Sequence, residues 1–127
     1  FLHWVNTVAE QTLPTEREVA EQLERFREET GALKDLSFDT IAGSGPNGAL
    51  PHYKPVSRTI RRMERGVLLL VDGGGQYLDG TTDVTRTVAV GEATEDQRRM
   101  FTLVLKGHIA MATVRFPAGT TGHQLDA

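Results

Sequence analysis

The stretch Val71-Asp72-Gly73-Gly74-Gly75-Gln76-Tyr77-Leu78-Asp79-Gly80-Thr81-Thr82-Asp83-Val84-Thr85-Arg86-Thr87 decides the fold. An apolar run, Val67 to Val71, enters it, and a run rich in β-branched residues, Val84 to Val90, leaves it. Glycine-rich turn chemistry lies between, so the two runs read as a hairpin. In an antiparallel pair, directly opposed residues have a constant index sum, and a two-residue loop makes that sum odd. Asp72 and Asp83 also sum to an odd number, so an unbulged hairpin projects both carboxylates from one face. A turn centred on Tyr77-Leu78 sets them opposite each other. One centred on Asp79-Gly80 slides them apart, unless a bulge among Gly73 to Gly75 compensates. Two convergent carboxylates are hard oxygen ligands suited to a divalent cation. Spacing alone favours a plainer reading, in which Asp72 ends a strand, Asp79-Gly80 makes a turn and Asp83 starts the next strand.

Other uses of the glycines fit poorly. A phosphate-cradling loop needs a lysine followed directly by serine or threonine, and a helix start; neither the pair nor the helix start follows these glycines. A calcium loop needs alternating acidic ligands and a closing glutamate, also missing.

At 127 residues the chain is long enough for one domain with a hydrophobic core. Fourteen basic against 17 acidic residues, a net charge of −3, make no electrostatic case for nucleic acid or an anionic membrane. There is no cysteine, hence no disulfide and no thiolate metal site. The longest apolar run, Val67 to Val71, is too short to span a bilayer, and the first residues lack the basic, apolar and small-residue pattern of a signal peptide. A cytoplasmic protein without membrane or nucleic-acid partners is the expectation. The start at Phe1 without methionine, in an already helical pattern, and the end at Gly122-His123-Gln124-Leu125-Asp126-Ala127, which resembles a first helical turn, read as a piece of a longer protein.

Residues 1 to about 10 look like the tail of a helix. Thr15-Glu16-Arg17-Glu18 is a capping box, followed by Val19, Leu23 and Phe26 at helical spacing and by Gly31 as a C-terminal cap. Phe38 to Ala42 reads as a short strand and Gly43 to Gly48 as a turn-rich loop. Leu50 to Pro55 reads as extended, because proline fixes its own φ and restricts the residue before it. Arg58 to Gly66 is basic and reads as surface loop or turn. Val67 to Val71 is continuously apolar, the pattern of a strand buried on both faces. Thr94-Glu95-Asp96-Gln97 opens a second capped helix through about Val114, with Met100, Leu103, Val104, Ile109 and Met111 as its apolar surface. The sum is an α+β domain.

Of the four histidines, His52 stands out, held between Pro51 and Pro55 after a glycine-rich loop. An imidazole on such a segment can donate to a substrate carbonyl or shuttle a proton, although an isolated loop histidine is usually neither. His3 and His108 read as packing or surface residues, and nothing pairs with His123. None has the i, i+4 partner of a helical zinc site.

The combined wording is more specific than any of its parts. Gly45-Pro46-Asn47-Gly48-Ala49 before His52-Tyr53-Lys54-Pro55, then Asp72 to Thr87 as quoted, then Leu105 to Ala110 and Phe116 to His123, resemble the Xaa-Pro aminopeptidases, especially the long cytosolic type. The resemblance covers nearly the whole chain. It implies a partial pita-bread fold, residues 1–127 forming the amino-terminal half of the catalytic domain, with the hairpin carrying metal ligands between flanking helices. It implies a dinuclear metal centre, most often manganese with zinc or cobalt as substitutes, held by two aspartates, one histidine and two glutamates. The aspartates correspond to Asp72 and Asp83, and His52 to the histidine that contacts substrate near the scissile bond. The substrates implied are peptides with proline in second position, and relatives often form homodimers. Thr85, Arg86 and Thr87 are expected to brace the second strand.

The resemblance places the three remaining metal ligands beyond this sequence. The 127 residues alone are therefore expected to be inactive and to hold no tight dinuclear centre. Two other readings stand beside this one. The first is a non-catalytic pita-bread module that binds peptides or histones, against which the retained Asp72, Asp83 and His52 argue. The second is a proline dipeptidase or creatinase-type hydrolase, which the Gly-Pro-Asn-Gly and Asp-Gly-Thr-Thr-Asp wording disfavours.

Overall fold

In the computed structural model, which describes residues 1–8 and 12–126, the chain falls into two units, Phe1–Ala93 and Thr94–Ala127. The first runs α1 (Leu2–Val8), α2 (Glu16–Glu28), β1 (Asp35–Leu36), β2 (Ile41–Ser44), a 3-10 helix (Gly45–Ala49), β3 (Leu68–Gly73), β4 (Gly75–Tyr77), β5 (Gly80–Thr81) and β6 (Val84–Ala89). The second holds α3 (Glu95–Thr113) and α4 (Gly122–Leu125). The expected end of the first helix, at about residue 10, lies outside the described residues.

Helices and antiparallel strands form an α+β arrangement, as expected. Two three-stranded sheets, ordered β2-β3-β6 and β1-β4-β5, share the long hairpin. Helix α2 starts where its capping box dictates. Thr15 Oγ1 accepts the Glu18 amide at 3.3 Å, and Glu18 Oε2 accepts the Thr15 amide at 2.6 Å. That bond to the Thr15 amide is the main reason the Glu18 carboxyl titrates below its ordinary value. The apolar side of α2 contributes Val19 and Ala20 to a core completed by Val5, Ala42, Met63, Leu69, Val71 and Val90. Trp4 joins the two helices, stacking on Phe1 at 5.9 Å and meeting Phe26 edge-on at 6.5 Å.

Four local expectations need correction. The strand anticipated at Phe38 to Ala42 is instead β2, shifted to Ile41–Ser44, because its boundaries follow the ladder that pairs Ile41 with Asp72 and Ser44 with Leu69. Leu50 to Pro55 is not extended throughout. The Tyr53 amide donates to Leu50 O at 3.1 Å and closes a turn with Pro51 at its second position, where fixed φ suits it. Arg58 to Gly66 is not all surface: Met63 is buried, and its amide donates to Pro14 O at 2.9 Å beside a bridge between Thr15 and Arg62. Finally, β3 is not buried on both faces. Leu69, Val71 and Gly73 are buried, whereas Leu68, Leu70 and Asp72 are half-buried.

In the second unit, Thr94 and Gln97 form the capping box read from sequence, with Thr94 N donating to Gln97 Oε1 at 2.8 Å. Helix α3 ends at Thr113, ahead of Pro117, and none of its residues is buried.

Candidate metal centre and histidine turn

The hairpin register fixes the two aspartates relative to each other. β3 and β6 pair Asp72 with Thr85 and Gly73 with Val84. On the far side of Gly74, β4 and β5 pair Gln76 with Thr81 and Tyr77 with Gly80, the same register with no bulge. The turn therefore consists of Leu78 and Asp79, between the two centres the sequence allowed. By the same count Asp83 falls opposite Gly74, in the break between the two sheets, where neither residue belongs to a strand.

Gly74 makes that register possible. A Cβ built there would sit 1.8 Å from Thr82 O. The Thr82 carbonyl is in turn held by Ser37 Oγ at 3.1 Å, and the Gly75 amide donates to Thr82 Oγ1 at 3.0 Å. Close backbone approach, rather than anion binding, explains a glycine here.

Asp72 is half-buried and Asp83 exposed. Thr85 Oγ1 donates to Asp72 Oδ1 at 2.8 Å, so Thr85 does more than brace its strand: it orients a candidate ligand. The donor type suits a hard divalent cation, with two carboxylates on one hairpin and one of them already aligned by a hydroxyl. Among the described residues, no group of three or more His, Cys, Asp or Glu could hold a metal ion.

His52 lies elsewhere on the surface of the same unit. It is exposed on the Pro51-His52 turn and lines a cleft of about 600 Å³ with Arg17, Glu24, Phe38, Ile41 and Tyr53 among its walls. Asp72 and Asp83 do not line this cleft. Ile41 is the link, because it borders the cleft and pairs with Asp72 across β2 and β3.

Sequence reasoning missed the most heavily hydrogen-bonded carboxylate in the chain's described residues. Glu16, at the first helical position of α2, is fully buried. Its Oε1 accepts Ser44 N at 2.7 Å and Asn47 Nδ2 at 3.0 Å. Its Oε2 accepts the Tyr53 hydroxyl at 2.7 Å and Arg61 N at 2.9 Å. The Glu16 amide donates to Arg61 O at 3.0 Å. Burial, followed by the bond to Glu16, raises the Tyr53 hydroxyl above its ordinary pKa. No local pattern marks Glu16, since an acidic residue at a helix start needs no other reason than the macrodipole.

The chain is similar to several known proteins. The chain is 51% identical, over 91% of its length, to a probable Xaa-Pro aminopeptidase P of Laccaria bicolor, of which it covers 18%. It is 50% identical, over its whole length, to the corresponding protein of Neosartorya fischeri, covering 20% of it. The crystal structure of X-prolyl aminopeptidase from Caenorhabditis elegans, a cytosolic enzyme with a di-nuclear active site, superposes with a TM-score of 0.85 at 40% identity. That match covers 98% of this chain and 20% of the nematode enzyme. The chain thus spans about a fifth of the length of the relatives it matches. Its helices and antiparallel sheets are part of a pita-bread domain. The profile of metallopeptidase family M24 matches residues 2–127, and the chain belongs to that family.

Proposed function

We propose that this chain is the first half of the catalytic domain of a dinuclear Xaa-Pro aminopeptidase, a cytoplasmic enzyme releasing the N-terminal residue from peptides with proline in second position. The observation that carries the proposal is the hairpin holding Asp72 and Asp83, with Thr85 bonded to Asp72, in a chain so similar to an enzyme with a di-nuclear active site. Asp72 and Asp83 supply two metal ligands, and the remainder come from outside the 127 residues. Bound divalent metals lower the pKa of water and polarise the scissile carbonyl. Carboxylate and imidazole ligation suits manganese, with zinc or cobalt able to substitute. His52, exposed at its turn, donates a hydrogen bond to substrate beside the scissile bond. Among the described residues no helix is long and apolar enough to cross a membrane.

The test uses the full-length protein loaded with manganese. Tripeptides and longer peptides with proline in second position should lose their first residue, and Asp72→Asn and Asp83→Asn should each abolish turnover with loss of bound metal. Cleavage confined to dipeptides would assign a proline dipeptidase instead, and undiminished turnover in Asp72→Asn would remove it from the metal centre. The 127-residue polypeptide alone should neither bind manganese tightly by calorimetry nor cleave these peptides.

A further inference from the structure

We infer that Glu16 is a positioning residue for His52, acting through Tyr53. The inference rests on the function proposed above, and its support is the arrangement of bonds around one carboxylate. Glu16 accepts from Ser44 at the end of β2, from Asn47 in the 3-10 helix, from Tyr53 immediately after His52, and from Arg61. Asn47 Nδ2 also donates to Thr59 O at 3.0 Å, tying in the segment between Tyr53 and Arg61. The backbone is therefore anchored on both sides of the Pro51-His52 turn, while His52 itself stays exposed at the cleft.

A buried carboxylate and phenol are costly unless every oxygen is hydrogen-bonded, and here they satisfy each other. Tyr53 is 5% exposed and Glu16 fully buried, so solvent does not compete for the bond between them. Tyr53 follows His52 directly in the chain, so fixing its hydroxyl to α2 fixes where the turn presents the imidazole. Misplacement of a reacting group by about 1 Å can cost on the order of 100-fold in rate, which makes such an anchor consequential.

The test is made in the metal-loaded full-length enzyme. Tyr53→Phe keeps the ring and deletes the donor, and Glu16→Gln is its companion; should Glu16→Gln fail to fold, Tyr53→Phe decides alone. With a proline-containing peptide, Tyr53→Phe is expected to lower kcat roughly 10- to 100-fold, with KM little changed and metal content intact. That loss should vanish in the His52→Ala background, because there is no longer an imidazole to position. An equal loss in both backgrounds, or no loss in either, overturns the inference. A crystal structure of Tyr53→Phe supplies a readout independent of turnover. The His52 ring should be displaced or disordered while the Asp72–Thr85 pair superposes, and an unmoved ring overturns the inference. If the wild-type enzyme cleaves no such peptide, the proposed function fails, and the crystallographic result still decides whether Glu16 positions His52.

Discussion

Thr85 and Asp72 face each other across β3 and β6, and the Thr85 hydroxyl donates to Asp72 Oδ1 at 2.8 Å. A β-branched residue at this position therefore serves two purposes: its methyl suits the strand and its hydroxyl restricts the rotation of the neighbouring carboxylate. The two effects can be separated by substitution.

Thr85→Val keeps the shape and removes the donor. In the full-length protein this should weaken manganese binding by roughly 10- to 100-fold, with Thr85→Ser restoring most of it. Isothermal titration of the apoprotein checks both variants. Unchanged affinity in Thr85→Val would show that Asp72 needs no such support.

Gly74→Ala places a methyl where the Thr82 carbonyl lies. The strands must separate, at a cost of about 1–3 kcal/mol or more. Denaturant unfolding should register that loss, with metal affinity falling as the Asp72 and Asp83 register loosens.

Tyr53 yields a pH prediction whose sign follows from its raised pKa. The folded state holds the proton longer than the unfolded state, so stability is fully present below the ordinary tyrosine value of 10.0 and is lost as pH rises through the folded value. Urea midpoints of wild type and Tyr53→Phe, compared between pH 8 and 11 (a range set by the tyrosine reference near 10), should differ in slope above about pH 10, with the wild type falling more steeply.

What could be read in advance divides by the range of the interactions. Both capping boxes were legible because partners three residues apart specify them. The hairpin that carries Asp72 and Asp83 was legible for a different reason, since glycine-rich turn residues lie between two strand-like runs. The turn itself was not. Gly80 drew attention as the turn-former, yet the tip is Leu78-Asp79, and neither residue has positive φ, so no glycine was needed there. Met63 and Glu16 were invisible because their surroundings come from distant segments. A methionine in a basic stretch and a glutamate beside a helix cap look like surface residues until those segments meet.

The Glu16 cluster also bears on the order in which the molecule assembles. Its hydrogen bonds join residues 28, 31, 37 and 45 positions apart. Helix α2 can form early from local contacts, but the carboxylate acquires its partners only as successively longer loops close. In native-state hydrogen exchange, the Ser44 and Arg61 amides should consequently open together in one cooperative event, and Glu16→Gln should accelerate both by the same factor. Independent exchange of the two would mean that the segments around His52 come undone one at a time.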